Sequence, residues 1–196
     1  MKKIVIASSN PGKLREFATL LAPFDFDAIP QSALGVTEAP EPHATFVENA
    51  LAKARHASRS TGLPALADDS GICVPALNGA PGVFSARYAG EPKSDQRNNE
   101  KLLADIGPHR DRRAFYYCSL VLVTHADDPH PLIADGEWHG ELIDAPRGVG
   151  GFGYDRYFYL PEYKLTAAEL APEIKNRVSH RGLAMQALAE KLRTRR

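Results

Sequence analysis

An apolar run leads directly into two adjacent carboxylates: residues 63–67 read Leu-Pro-Ala-Leu-Ala, and Asp68, Asp69, Ser70 and Gly71 follow. The run predicts a buried strand, in which successive side chains point to opposite faces of the sheet. Gly71 predicts that the strand ends here in a turn, and only then would both carboxylates share one role. A carboxylate at the end of a buried strand is where an α/β protein tends to hold a metal or activate a water. The alternative is an Asp pair that caps a turn.

Composition limits the classes of protein that the chain can belong to. The chain has 196 residues, of which 43% are hydrophobic, and a formal net charge of zero. This length suffices for one large domain or two lobes sharing a sheet, and the neutral charge argues against a broad nucleic-acid or membrane footprint. Cys73 and Cys118 lie in apolar surroundings and predict reduced core thiols. The apolar run at residues 4–7 is too short for a signal peptide or a membrane span, so we expect a soluble, cytoplasmic protein.

A strand-to-helix turn near the N-terminus is a candidate phosphate site. Residues 3–7 predict a buried strand, and the apolar residues at 14, 17, 20 and 21 have helical spacing. The free N–H groups of a helix N-terminus and the charge of Lys13 suit a phosphate, although the Walker A spacing is absent. The alternative is an ordinary N-capped helix with a surface lysine. The turn consists of Ser8, Ser9, Asn10, Pro11, Gly12 and Lys13.

The second helix follows a loop at residues 31–44 that is rich in Pro and Glu and contains Glu41. Thr45 and Glu48 form the pattern of a capping box, which predicts that a helix starts there. Asn49 and Lys53 are four residues apart and therefore lie on one side of that helix. They are either ligands of a substrate phosphate or solvated. Further along, a helix is predicted at 94–105, and a hairpin of two strands at 113–125 and 131–144.

A glycine-rich loop at residues 148–153 formally matches G-x-G-x-x-G. The match does not predict a dinucleotide site, because the aromatic run that follows it is not a helix pattern. A flexible loop carrying Phe152, Tyr154 and Asp155 suits an aromatic that stacks on a base, with an acceptor nearby. The alternative is a tight turn with buried aromatics.

The last predicted helix begins with two cationic side chains. Ser179 is a good N-cap, which places His180 and Arg181 in the first turn. Cations there are unfavourable for the helix dipole, and a local rule broken in this way often marks a ligand site.

Six segments, taken together in this order and spacing, resemble the inosine/xanthosine triphosphate pyrophosphatase family, also called Ham1-like. The resemblance covers nearly the whole chain. One departure is Arg156, where the family's loop usually continues with proline. The segments are Ser8-Ser9-Asn10-Pro11-Gly12-Lys13, Phe46-Val47-Glu48-Asn49-Ala50, Ala67-Asp68-Asp69-Ser70-Gly71, Ser85-Ala86-Arg87-Tyr88-Ala89-Gly90, Gly151-Phe152-Gly153-Tyr154-Asp155 and Ser179-His180-Arg181.

The resemblance implies a mixed α/β fold with two lobes and a deep cleft between them, the whole chain 1–196 forming one pyrophosphatase domain, usually as a homodimer. It implies Mg²⁺-dependent hydrolysis of nonstandard purine nucleoside triphosphates (ITP, dITP, XTP) to the monophosphate and pyrophosphate, which removes them from the nucleotide pool. In that family Glu41 and Asp69 would bind the metal, and Asp69 or its neighbour Asp68 would activate water. The triphosphate would be held by Lys53 and the turn at 8–13, with Ser70 beside them. The base pocket would comprise Phe152, Gly153, Tyr154, Asp155, Lys175, His180 and Arg181.

The residue types fit this chemistry. Mg²⁺ prefers carboxylate oxygens and water, and a triphosphate needs cations to neutralise it before water can attack. Donors from His180 and Arg181 would favour the carbonyl at carbon 6 of hypoxanthine or xanthine and leave adenine unmatched. Guanine shares that carbonyl, so its exclusion needs a further feature.

Two other functions stay open. One is a Maf-like pyrophosphatase that acts on modified pyrimidine nucleotides, against which the Ser-His-Arg and Phe-Gly-Tyr-Asp segments speak. The other is a nucleotide-binding regulator without turnover, which would not need Asp69, Glu41 and Lys13 together. Neither nucleic acid nor a membrane is an expected partner.

Overall fold

The computed structural model describes residues 2–194, which form seven strands and five α-helices. No helix within these residues is long and apolar enough to cross a membrane. In chain order the elements are β1 (Lys2–Ile6), α1 (Pro11–Leu21), β2 (Phe26–Pro30), α2 (Phe46–Thr61), β3 (Ala65–Cys73), α3 (Asp95–Ile106), β4 (Arg113–Val123), β5 (Leu132–Leu142), β6 (Phe158–Leu160), β7 (Leu165–Thr166), α4 (Pro172–Val178) and α5 (His180–Thr194).

The seven strands form one sheet in the order β2-β1-β3-β4-β5-β6-β7. Strand β1 pairs in parallel with both β2 and β3, whereas β6 pairs antiparallel with β5 and β7. Parallel neighbours require crossover connections, which α1 and α2 supply. The predicted mixed α/β class is therefore confirmed.

By its internal contacts the chain divides into two compact units. The first unit consists of residues 2–69, 118–135 and 184–194. In this unit Ile4, Ile6 and Leu66 pack with α1, whereas the alternate residues Val5 and Ala65 pack with α2. Because strand side chains alternate, α1 and α2 cover opposite faces of β1 and β3.

The predicted end of the third strand at Gly71 is wrong. Strand β3 continues to Cys73, and Ile72 and Cys73 are both buried. The backbone N–H of Ile72 donates to the hydroxyl of Ser85 at 2.9 Å, which satisfies a buried donor at the far end of the strand. The buried residues after the glycine keep the chain extended. Asp68 and Asp69 consequently lie within a strand and point to opposite faces.

The second unit consists of residues 70–117 and 136–183. Its core contains Ile72, Leu102, Tyr116, Trp138 and Phe158. The predicted helix at 94–105 is confirmed as α3, with Ser94 as its N-cap, and the two predicted hairpin strands are confirmed as β4 and β5, neighbours in the sheet. Helix α4 was not predicted, because seven residues contain too few turns for a periodic signal.

We expect Asp128 to stabilise the connection between β4 and β5. Its carboxylate accepts hydrogen bonds from the backbone N–H of Thr124 at 2.9 Å and of His130 at 2.8 Å. Burial acts to raise the pKa of Asp128, but these hydrogen bonds, together with one from the hydroxyl of Thr124 at 2.7 Å, outweigh it and lower the pKa to about 2. A lowered pKa contributes stability above the ordinary value of 3.8 that is lost as the pH falls towards 2.

Replacing Asp128 with Asn should therefore lower the free energy of unfolding at neutral pH by about 2 kcal/mol. It should also flatten the acid dependence of stability, as measured by urea unfolding from neutral pH down to the acid range. Asp127→Asn is the matched control, because the side chain of Asp127 is 86% exposed and pairs with an exposed Arg59. A surface pair of this kind contributes less than about 1 kcal/mol. Equal losses for the two variants would contradict the assignment.

Candidate active site

The turn between β1 and α1 is an N-cap built by Asn10. Its Oδ1 accepts the backbone N–H groups of Gly12 at 2.8 Å and Lys13 at 3.3 Å, and its own N–H donates to Ser8 Oγ at 3.2 Å. Pro11 is the first residue of the helix, and Ser9 is exposed. Asn10 thus accepts the two amide N–H groups at the start of the helix, and a phosphate bound here would compete with it for them.

Lys13 extends from this helix to Asp68. Its Nζ lies 2.7 Å from Asp68 Oδ2, and the two side chains are 21% and 1% exposed. Lys13 is therefore part of an ion pair on the α1 face of β3 and is not a freely solvated surface lysine. Removing either member would leave a charge with poor solvation, which is costly.

Asp69 faces the other side of β3, towards α2. Its Oδ1 accepts from Lys53 Nζ at 3.0 Å, and its Oδ2 accepts from Asn49 Nδ2 at 3.3 Å. Lys53 also donates to Glu41 Oε1 at 2.8 Å. Asn49 is fully buried and accepts from the backbone N–H of His43 at 3.0 Å, which ties the loop carrying Glu41 to the helix. The structure thus places Asn49 and Lys53 against the carboxylate and not in solvent.

Burial sets the protonation of this cluster. It raises the pKa of Asp69, and the opposing effect of Lys53 offsets this only in part. Burial acts to lower the pKa of Lys53, but the charges of Asp69, Asp68 and Glu41 outweigh it, so that the pKa is raised. Lys53 is therefore a permanent cation at physiological pH, and Asp69 is a stronger base than an ordinary aspartate.

In the second unit an exposed aromatic ring lies beside a buried ion pair. Phe152 is 64% exposed, and Lys175 Nζ, supplied by α4, lies 5.4 Å from the centre of its ring. Asp155 is buried and accepts from Lys175 Nζ at 2.6 Å and from the backbone N–H of Phe152 at 2.8 Å. An exposed aromatic held by an ion pair is a suitable platform for a nucleobase. Gly153 follows it with a φ of +60°, a left-handed conformation that favours glycine.

Tyr154, another predicted member of the base pocket, lies in the core of this unit. It is 4% exposed, and its hydroxyl donates to the backbone carbonyl of Ser85 at 2.7 Å. Burial raises the pKa of this hydroxyl above that of an ordinary tyrosine. In the described structure this side chain matches the alternative, a buried aromatic, and it supports the loop from within.

His180 and Arg181 begin α5, and both are buried. Arg181 donates to Ser70 Oγ at 3.3 Å, and Ser70 follows Asp69 directly in β3. The His180 ring stacks on Tyr116 with centroids 4.8 Å apart and an interplanar angle of 13°. Ser179 caps the helix as predicted, since its Oγ accepts from the backbone N–H of Gly182 at 3.3 Å.

Tyr116 is a residue that the sequence analysis did not single out. Besides stacking on His180, its hydroxyl donates to Asp155 Oδ1 at 3.3 Å, so it contacts two predicted site residues at once. Both contacts join residues at least 39 apart in the chain, so no local sequence pattern indicates them.

The described residues contain no group of three or more His, Cys, Asp or Glu side chains that could hold a metal. The donors nevertheless suit a hard cation. The carboxylates of Glu41 and Asp69 both contact the single cation of Lys53, so they lie close enough to share one charge. A Mg²⁺ ion normally takes one or two protein carboxylates and completes its shell with water and substrate phosphates.

Comparisons with known proteins identify relatives of this chain. A profile of the Ham1 family matches residues 4–191. The chain is 64% identical to the dITP/XTP pyrophosphatase of Burkholderia pseudomallei, over 97% of this chain and 93% of that protein. It is also 64% identical to the dITP/XTP pyrophosphatase of Nitrosomonas europaea, over 98% and 95%. The solved HAM1 protein of Coxiella burnetii superposes with a TM-score of 0.96 at 48% identity, covering 99% of this chain and 100% of that one. The chain therefore belongs to the Ham1 family.

Proposed function

We propose that this chain hydrolyses nonstandard purine nucleoside triphosphates, namely dITP, ITP and XTP, to the monophosphate and pyrophosphate. The observation that carries the proposal is the buried Asp69 carboxylate, held by Lys53 and Asn49 on one face of β3. The names of the relatives at 64% identity support the same substrate class. A nucleotide-binding regulator would have no use for a buried carboxylate that is costly to keep ionised.

The residues have separate tasks in this mechanism. Asp69 accepts the proton of the attacking water, as the buried carboxylate that Lys53 and Asn49 hold in place on the α2 face of β3. Lys13 and Lys53 supply positive charge to the triphosphate, whose charge grows at the leaving pyrophosphate. Asp68 holds Lys13 in place through their ion pair. The assignment of the base to Asp69 and not Asp68 follows from these different partners.

Glu41 and Asp69 would hold a Mg²⁺ ion, which when bound would neutralise phosphate charge and orient the phosphates. Lys53 contacts both carboxylates and keeps them together. The buried side chain of Asn49 orders the site, because it bonds both Asp69 and His43 in the loop that carries Glu41.

Base recognition belongs to the second unit. Phe152 stacks on the purine, and Lys175 and Asp155 hold its surroundings. His180 and Arg181 donate to the carbonyl oxygen at carbon 6, which adenine lacks. The homodimer, the cleft and the cytoplasmic location implied by the resemblance stay predictions; light scattering of the purified protein would measure the first.

A panel of purified nucleoside triphosphates tests the proposal. We expect rapid release of pyrophosphate from ITP, dITP and XTP with Mg²⁺, and slow release from ATP, GTP and the pyrimidine triphosphates. Preferred turnover of a modified pyrimidine nucleotide would favour the Maf-like alternative. Tight binding of ITP without any pyrophosphate would favour the regulator.

We expect activity to rise from neutral into alkaline pH and to require Mg²⁺. The attacking water has to lose a proton, and this loss is favoured as the pH rises. The measurement is kcat/KM for ITP from about pH 5 to about pH 9.5, with the melting temperature recorded at each pH. A maximum at acidic pH, or full activity in chelator, would contradict the mechanism.

A further inference from the structure

The first turns of α3 hold the residue that follows Phe152 in the glycine loop. Asp95 Oδ2 accepts the backbone N–H of Gly153 at 2.8 Å, and Asn99 Nδ2 donates to the backbone carbonyl of Gly153 at 2.9 Å. Asp95 and Asn99 are one helical turn apart, so they point to the same side of α3. Both polar groups of a single residue are thus fixed by two side chains, which we call the Gly153 clamp.

The clamp is itself rigid. Asn99 is 8% exposed, and its Nδ2 also donates to the backbone carbonyl of Asp95 at 2.7 Å, which joins the two clamp residues. Ser94 caps the helix in front of them by accepting from the backbone N–H of Arg97 at 3.3 Å. The clamp is therefore built on the ordered start of a helix and not on another loop.

The backbone on the other side of Phe152 is also fixed, because its N–H donates to Asp155 Oδ2 at 2.8 Å. The peptide groups before and after this residue are therefore both anchored, although its ring is 64% exposed. An exposed ring on a fixed backbone loses less conformational freedom when a ligand stacks on it. Nothing in the packing of the ring itself demands such anchoring, since most of the ring lies in solvent.

We infer that Asp95 and Asn99 are positioning residues that hold Phe152 ready to stack on the purine base, and that they set the affinity for the substrate more than the rate of hydrolysis. The inference rests on the proposed function for the identity of the ligand. Stacking on the base is equally available before and during attack at the phosphate. Its loss should therefore raise KM and leave kcat nearly unchanged.

Asp95→Ala and Asn99→Ala test the inference. Each should raise KM for ITP about three- to tenfold, the range expected when one side chain has to be ordered on binding. Asp95 is exposed, so its replacement leaves the core intact. Asp95→Asn keeps an acceptor for the Gly153 N–H and should restore most of the affinity.

Asn98→Ala is the matched control. Asn98 is the neighbouring residue of α3 and is 2% exposed. It makes both kinds of bond that the clamp makes with Gly153, but to another segment: it accepts from the backbone N–H of Ala89 at 2.8 Å and donates to the backbone carbonyl of Ala86 at 3.1 Å. We expect this variant to lower the melting temperature as Asn99→Ala does, but to leave KM unchanged. A purely structural role for the clamp predicts equal KM values in both variants.

A double-mutant cycle shows whether the effect passes through the aromatic ring. Phe152→Ala alone should raise KM, and adding Asn99→Ala to it should raise KM no further, because the clamp has no ring left to position. Additive effects would overturn the inference. Amide hydrogen exchange at residues 148–153 provides a readout without turnover: it should be faster in Asp95→Ala and unchanged in Asn98→Ala. Unchanged exchange in Asp95→Ala would also overturn the inference, whereas a wild-type protein inert towards ITP would instead refute the proposed function.

Discussion

Replacing Asp69 with Asn should abolish turnover while the fold stays intact. The amide keeps the shape of the side chain but cannot take the proton of the attacking water, and it removes a charge from the candidate metal site. We expect a loss of at least about a hundredfold in kcat for ITP, the usual effect of removing a general base. Retention of more than about a tenth of the activity would be inconsistent with a role worth several kcal/mol.

The stability of this variant is a second readout. Because the pKa of Asp69 is raised, the folded state binds more protons than the unfolded state above the ordinary value of 3.8, and stability falls as the pH rises through that window. A neutral Asn removes this penalty but also removes one of the carboxylates that stabilise the Lys53 cation, leaving Glu41 as its partner. The two effects oppose each other, so the melting temperature in chelator at neutral pH should change little. A marked fall would mean that Asp69 is mainly a structural ion-pair partner.

Asp68→Asn is the informative comparison, because it makes the same chemical change one residue away. The change breaks the ion pair between Lys13 and Asp68, whose side chain is 1% exposed. We expect a loss of about 2 kcal/mol or more in stability. Activity should fall less than in Asp69→Asn. The opposite order of activities would move the base to Asp68.

Replacing Arg181 with Ala should collapse the preference for ITP over ATP. Arg181 is buried at the start of α5, and the loss of a charge-assisted hydrogen bond from it is worth about 1.5 to 3 kcal/mol. Efficiency for ITP and XTP should fall about ten- to hundredfold. ATP has no carbonyl oxygen at carbon 6, so its efficiency should change far less.

Efficiency for ITP and ATP has to be measured alongside the melting temperature, because Arg181 also donates to Ser70 Oγ. Arg193→Ala on the same helix is the control, since Arg193 pairs with Glu190 and its side chain is 60% exposed. It should alter neither quantity. A lowered melting temperature with an unchanged ITP-to-ATP ratio in Arg181→Ala would leave Arg181 a purely structural role.

Local signals predicted the helix starts well. Thr45 accepts from the backbone N–H of Glu48 at 3.3 Å, and Ser94 and Ser179 cap their helices in the same way. These bonds join residues three apart in sequence, so the pattern that creates them is visible without knowledge of the fold.

The errors concern contacts between residues that are distant in sequence. Gly71 suggested a turn, but the strand persists because Ile72 beyond it is buried and bonded to Ser85. The roles of Tyr116 and Asn99 likewise depend on partners at least 39 residues away. Local propensity carries no information about such partners, and tertiary packing overrides it where the two conflict.

The alternation of Asp68 and Asp69 has a consequence for how the gene of such a protein can change. Each residue of β3 advances the strand by about 3.3 Å and reverses the side-chain direction. Inserting one residue before position 68 would turn Asp68 towards Lys53 and leave Ala67 opposite Lys13, whereas deleting one would turn Asp69 towards Lys13 and leave Ser70 opposite Lys53. Ala67 and Ser70, which flank the pair, carry no charge that could substitute after such a shift. The segment should therefore tolerate point substitutions at its apolar positions far better than any change in its length.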